Sequence, residues 1–487
     1  MAFKKRHCFG KYTLVIFFVF SLSGCMAGTA YKPPDISPQM EEHWESSTGE
    51  TENILIPRQQ PTVDWWRQFR DDTLTGLVEK LSKSSLALAE ARERITEAYA
   101  RRGIAGAGTR LQADVKAGYT YASAGDEALS FQGPPPGTSA DLFSTGVAAS
   151  WELDLWGRTK RLVAAADADI EAGYADYRSM IVSLSAELSL AYIDLRTFQA
   201  RLDSVSRNID LQEKTLGLAQ TRLKSGIGTK LEVAQTERLL QSTRAQIPEL
   251  KRAAKAAENR INVLLGARPG ETAIPEGQLP DVPKLIGIGI PMDLMTRRPD
   301  IMGAVHRYRA AIERTGATEA DKYPRLSLSG TLSLQSGTLD GMIDPDSLIY
   351  SLGPGLYFPL FTGGRIDSSI RQYASRAEQA RLALSQKLLQ ALSEVETSAS
   401  GVVRTQERVR DLEGAEAAAQ KSVELSESLF HSGLGDLFQV LDSEKQLVGI
   451  QDSLLLARQQ ALTEVVALYR ALGGGWEDVP VKGNTGQ

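Results

Sequence analysis

Residues whose type and spacing could do chemistry are few in this chain. Glu427 and His431 stand four apart, one helical turn, and could share a metal ion. A lone pair of that kind is read as surface decoration, and His7, His43 and His306 are scattered. The run GIAGAG, Gly103 to Gly108, lacks the dinucleotide-binding spacing and follows a helical pattern, so it is dismissed. No phosphate loop of the glycine-lysine-serine type and no zinc-protease helix motif occurs. The chain is therefore read as no enzyme, with no catalytic residue, no metal site and no bound cofactor. Asp442 stands out differently. It lies in HSGLGDLFQVLDSEKQL, His431 to Leu447, four residues after Phe438, so the two share a helix face. A near copy of that stretch, KSGIGTKLEVAQTERLL from Lys224 to Leu240, has Gln235 in its place.

The other reactive group is a thiol. The amino terminus has basic residues (Lys4, Lys5, Arg6, Lys11), an apolar run from Thr13 to Phe20 too short to cross a bilayer, and then Leu22-Ser23-Gly24-Cys25. That order reads as a secretion signal over residues 1–24. Its end resembles the bacterial lipobox, which implies cleavage before Cys25 and acylation of its thiol. Cleavage removes four lysines and arginines, so the mature charge becomes −5 − 4 = −9. It also removes Cys8, leaving Cys25 alone and no intrachain disulfide. More than one acyl chain gives a stable membrane anchor. Met26 stands where inner-membrane lipoproteins tend to carry aspartate, so the resemblance implies the outer membrane. No later apolar run of twenty residues predicts a transmembrane helix. With 42% hydrophobic residues the chain can bury a large core, and its net charge of −5 points to no nucleic-acid partner.

The elements that position these residues come in two copies. Gly157-Arg158 matches Gly364-Arg365, Ser225-Gly226-Ile227-Gly228 matches Ser432-Gly433-Leu434-Gly435, and Leu265-Gly266 matches Leu472-Gly473. Each pair has one offset, 364 − 157 = 207, so the chain is internally duplicated. From Arg158 to Lys224 there is no proline, and Leu188, Ala191, Leu195, Phe198, Leu202, Val205, Ile209, Gln212, Leu216, Ala219 and Leu223 form a heptad seam. Arg365 to His431 carries a weaker one through Val395, Val402, Val409, Leu412, Val423 and Phe430. Each stretch predicts roughly 100 Å of helix. Shorter helices are expected from Thr73 to about Gln112 and from Thr229 to about Leu265. Both glycines of each tip, Gly226 with Gly228 and Gly433 with Gly435, are expected to supply positive φ for the turn. Asp436 is a candidate helix cap.

Four segments alternate with period two. Val115, Ala117, Tyr119 and Tyr121 share a face, as do Phe143, Val147, Ala149, Trp151 and Leu153. So do Leu326, Leu328, Leu332 and Leu334, and then Leu348, Tyr350, Leu352, Leu356, Phe358 and Leu360. Alternation over about ten residues with aromatics near the ends is the pattern of a transmembrane β-strand. Four strands cannot close a barrel and a bilayer tolerates no open edge, so several chains must share one. Residues 123–141 and 336–347 become loops. The expected organisation is an N-terminal lipid-anchored extended segment over 25–62, a first repeat over 63–270, a linker over 271–290, a second repeat over 291–475 and a tail over 476–487.

Cys25, DWWRQF (Asp64 to Phe69), SWELDLWGR (Ser150 to Arg158), RRPD (Arg297 to Asp300), FPLFTGGR (Phe358 to Arg365), SGLGDLFQVLDSEKQL and LYRALGGGW (Leu468 to Trp476) together resemble the TolC-like outer-membrane efflux channel family, in its lipoprotein, NodT-type branch. The likeness covers nearly the whole mature chain; Ser85-Leu86-Ala87-Leu88 departs from the family's Asn-x-Asp-Leu. The resemblance implies a mostly α fold with a small transmembrane β part. Three chains would close a 12-stranded barrel continuous with a periplasmic α-helical barrel. It implies a passive outer-membrane tunnel of a tripartite efflux system, docked to a periplasmic adaptor and an inner-membrane pump. Ser225, Gly226, Gly228, Ser432, Gly433 and Gly435 would form the adaptor-docking tips, and Asp442 with Phe438 the gate. The alternative is a lipid-anchored periplasmic coiled-coil adaptor or scaffold without a pore. An adaptor would be expected to carry a lipoyl-like β-domain between its helices, and none is evident.

Overall fold

The computed structural model describes residues 26–28, 31–32, 44, 54–57, 59–126 and 134–477. In chain order these form β1 (Leu55–Pro57), α1 (Asp72–Ser84), α2 (Leu86–Ala107), β2 (Gln112–Ser123), β3 (Ser139–Leu153) and α3 (Arg158–Lys224). There follow α4 (Lys230–Arg244), α5 (Gln246–Leu264), β4 (Ile286–Gly289), α6 (Pro299–Glu319), β5 (Arg325–Ser336), β6 (Leu348–Tyr357), α7 (Arg365–His431) and α8 (Leu437–Ala471). The fold is mostly helical. Among the described residues no helix is long and apolar enough to cross a membrane.

The duplication is exact to the residue in its second half. The two long helices, α3 and α7, each have 67 residues and begin and end at the same offset, 365 − 158 = 431 − 224 = 207. Ahead of them the offset is larger: β2 and β5 start 325 − 112 = 213 residues apart. The seam residues of α3 are all buried or half-buried, as a heptad pattern requires.

Two of the expected helices are each divided. The stretch from Thr73 breaks at Ser85, whose amide closes α1 on the Leu81 carbonyl while its own carbonyl accepts from Ala89 to open α2. The stretch from Thr229 breaks at Ala245, three residues before Pro248. A proline there has no N–H for the Arg244 carbonyl and crowds it, so the helix restarts. The matching position in the second copy, 248 + 207 = 455, is Leu455, and α8 runs unbroken for 35 residues.

The chain divides into two compact units. One holds Thr96–Glu171 and Val305–Ala383 with the described residues before Pro34. Its centre is the antiparallel sheet β2-β3-β5-β6. The register joins the four alternations into one face: Val115 pairs with Val147, Val147 with Leu332, and Leu332 with Tyr350. The other face is small and polar, as in Asp114, Ala148, Thr331 and Ser351. The second strand begins at Ser139, inside the expected loop, and the fourth ends at Tyr357, short of Leu360. All four helix-bearing ends, Gln112, Leu153, Arg325 and Tyr357, leave one edge of the sheet. There Trp156 stacks on Tyr323 at 4.8 Å and donates to the Pro324 carbonyl, and Asp321 accepts from both Arg158 and Arg325.

The other unit holds Asp35–Ile95, Ala172–Ala304 and Leu384–Gln487. Here the expected extended segment and the expected linker pair with each other: β1 runs parallel to β4, with Leu55 opposite Ile286. Trp65 of DWWRQF is buried and stacks on Tyr469 of the closing motif at 5.4 Å. Arg298 of RRPD donates to Asp300, Glu394 and the Ala471 carbonyl, tying α6, α7 and the end of α8. Burial alone would raise the Asp300 carboxyl, but the Arg298 guanidinium outweighs it and holds it below the usual range.

Candidate functional site: the paired helix tips

At the first tip, α3 closes with the Ile227 amide on the Arg222 carbonyl (3.1 Å) and the Gly226 amide on the Leu223 carbonyl (3.0 Å). At the second, Leu434 donates to the Leu429 carbonyl (3.0 Å) and Gly433 to that of Phe430 (3.1 Å). Both are the paired bonds of a Schellman motif, which satisfies carbonyls a helix end leaves free. The expectation that both glycines of each tip take positive φ is corrected here. Only the first does, Gly226 at 78° and Gly433 at 74°. Gly228 and Gly435 are required for space: a Cβ on Gly228 would lie 2.8 Å from the Leu223 nitrogen, and one on Gly435 3.1 Å from the Leu429 Cβ. The second glycine lets the chain fold back onto the helix it has just left.

The returning helices are capped by different residues at matching positions, since 229 + 207 = 436. Thr229 accepts from the Glu232 amide while Glu232 accepts from the Thr229 amide, a full capping box. Asp436 accepts from the Gln439 amide, so the expected cap is present. The two tips pack on each other through Ala219, Leu239, Phe430, Leu437, Val440 and Leu441, with Arg222 lying 4.7 Å over the Phe430 ring.

Asp442 and Phe438 lie together on the exposed face of α8, away from that cluster. Asp442 accepts from Gln446 at 2.7 Å. Ser225 and Ser432 are exposed at the turns, each donating to a carbonyl of its own helix end. Glu427 and His431 hold no cluster: among the described residues no group of three metal-ligating side chains occurs. Cys25 lies outside the described residues.

Sequence reasoning missed two features. The first is apolar exposure at the turns: Ile227 is 66% exposed and Leu434 81%. The hydrophobic residue of a Schellman motif ordinarily packs back on its helix, so two exposed in register were readable as a contact surface. The second is Glu444, buried two residues past Asp442. Its Oε1 accepts from Thr215 at 2.7 Å and its Oε2 has no partner. Burial pushes its carboxyl above the ordinary range, the Thr215 hydroxyl opposing and Glu427 adding. The counterpart Glu237 is exposed, so nothing in the pattern separated them.

The family described as outer membrane efflux protein matches residues 77–267 and 290–474. The chain belongs to that family. Nodulation protein T of Rhizobium leguminosarum bv. trifolii is 29% identical over 98% of this chain and 99% of its own. The toluene efflux pump outer membrane protein TtgF of Pseudomonas putida is 30% identical over 71% of this chain and 72% of its own. Among solved structures, the outer-membrane channel OprN superposes with a TM-score of 0.84 at 29% identity, covering 94% of this chain and 100% of that one. VceC of Vibrio cholerae gives 0.76 at 26%, covering 86% and 100%. This outer membrane efflux protein is thus an outer-membrane channel component, and the coiled-coil adaptor reading is set aside. Its long helices and four-stranded sheet are those of the family.

Proposed function

We propose that three copies of this chain form a passive efflux tunnel whose twelve strands close one barrel in the outer membrane. The observation that carries this is the sheet β2-β3-β5-β6. One of its faces is an exposed apolar band that includes Val115, Val147, Leu332, Tyr350, Leu352 and Leu356. A sheet with that face belongs in lipid, and its outer strands β2 and β6 then need partners, because an unpaired backbone edge in hydrocarbon is too costly. Three chains give twelve strands, above the eight of the smallest barrels.

The chain supplies no energy and catalyses nothing in this reading; an inner-membrane pump drives transport through a periplasmic adaptor. Six tips, two per chain, present Ser225, Gly226, Gly228, Ser432, Gly433 and Gly435 to the adaptor. Phe438 and Asp442 face the axis and form the gate, where three carboxylates select cations. Cys25 carries the acyl anchor, and the chain needs no other cofactor. The test is the unboiled mass and negative-stain image of the detergent-extracted protein. A threefold tube supports the proposal; a monomer or a solid rod overturns it.

A further inference from the structure

Arg161, one turn into α3, is 2% exposed. Among the described residues its guanidinium donates from Nη1 to Glu313 of α6 at 3.0 Å, from Nε to the Ala27 carbonyl at 2.7 Å and from Nη2 to the Gly28 carbonyl at 2.9 Å. Burying a guanidinium is costly, and an apolar side chain would fill the same space at less expense. What arginine adds is a planar fork that can hold two neighbouring carbonyls and a carboxylate at once. The segment it holds is shaped to lie there. The Ala27 amide donates to the Trp156 carbonyl at 3.0 Å. Gly28 has φ 90°, and a Cβ on it would meet the Glu319 Oε2 at 2.2 Å. A Cβ on Gly316 would lie 2.7 Å from the Arg161 guanidinium carbon, and one on Gly157 2.9 Å from the Met26 Cγ. Gly28 thus lets the segment lie against α6, Gly157 makes room for the Met26 side chain, and Gly316 makes room for the guanidinium that holds the segment.

Those three residues directly follow Cys25, and the seat adjoins the Trp156–Tyr323 stack at the root of β3 and β5. The geometry points to Arg161 as a positioning residue for the lipid anchor, an inference that rests on the acylation of Cys25 proposed above. By pinning Met26–Gly28 to the sheet root, it delivers the acyl chains to the phospholipid surface beside the barrel's own aromatic rim. The anchor is then part of the rigid body, with no slack between lipid and barrel.

In the acylated mature chain a Met26→Cys substitution supplies the one free thiol, because Cys8 leaves with the signal and Cys25 is blocked. A nitroxide on that thiol, in full-length protein reconstituted in phospholipid vesicles, reports whether the segment is held. The expected spectrum is immobilised. Two independent changes should each abolish the immobilised component: Arg161→Met with Glu313→Met, which removes both buried charges, and Gly28→Ala, which leaves the ion pair intact. Arg161→Lys, whose compact ammonium cannot span both carbonyls and Glu313, should lose part of it. Helix content and unboiled mass, unchanged throughout, separate a lost seat from lost folding. A mobile label in the parent, or an immobilised one surviving both changes, overturns the inference. The amino-terminal peptide mass separates the two premises: an unacylated Cys25 overturns the anchor reading, whereas an acylated Cys25 with a mobile label overturns only the seat.

Discussion

The two helix tips of this chain share a backbone and differ in their side chains. Both close with the same pair of hydrogen bonds, place an apolar residue outward at the turn, and restart a helix at matching positions. Leu231 and Phe438, matched by 438 − 231 = 207, are 66% and 63% exposed. The copies part at a few places: Gln235 against Asp442, Glu237 exposed against Glu444 buried, and Pro248 against Leu455. The two copies keep what the turn requires sterically and differ at single positions on the helices that follow it, exposed and buried alike.

The largest effect should come from exchanging the outward charge. Asp442→Ala should abolish cation preference and raise single-channel conductance in planar bilayers, while Gln235→Ala should leave both unchanged. Equal behaviour of the two variants would place Asp442 away from the axis.

The helix break offers the next contrast. Leu455→Pro, in the middle of continuous α8, should cost about 3 kcal/mol and lower the dissociation temperature of the assembly sharply. Pro248→Leu should cost nothing and should slow amide exchange around Ala245, where the first copy is interrupted.

Glu444 sharpens the comparison through pH. Its folded pKa is raised, so the stability tied to its protonated form is fully present below the ordinary carboxylate pKa and is lost as pH rises through the raised value. Glu444→Gln should therefore stabilise the protein by about 1–2 kcal/mol at neutral pH and by nothing in acid. Thermal melts at two pH values decide it.

The smallest effect concerns the caps. Asp436→Ala and Thr229→Ala should each cost about 1 kcal/mol. Loss of the first copy's cap also frees Glu232, so exchange should rise in the first turn of α4 as well as at the cap amide.

Much of this was legible in the residues. The 207-residue offset set both long helices to the residue because nothing was inserted between the copies. The strands were readable because period two survives on a sheet with one apolar face, although their ends were not: Ser139 and Tyr357 were decided by which neighbours offered backbone partners. The break at Ser85 was missed because no proline or glycine marks it, whereas the break at Ala245 was readable from Pro248, which has no N–H for the Arg244 carbonyl. The roles of Gly228 and Gly435 were misassigned, since a glycine required for space and one required for positive φ read alike in one dimension.

By itself the sequence determined the repeat, the lengths of the two long helices, the alternation of four strands and the residues available at the tips, because these follow from local periodicity and from the spacing of the repeated landmarks. Only the tertiary structure decided which like residues part company. Burial of Glu444 but not Glu237, exposure of Asp442 beside Phe438, the pairing of β1 with β4 and the closing of Arg161 over Met26–Gly28 all depend on contacts between segments far apart in the chain. Such contacts leave no period in the sequence, because the free energy that selects them is shared among elements hundreds of residues apart.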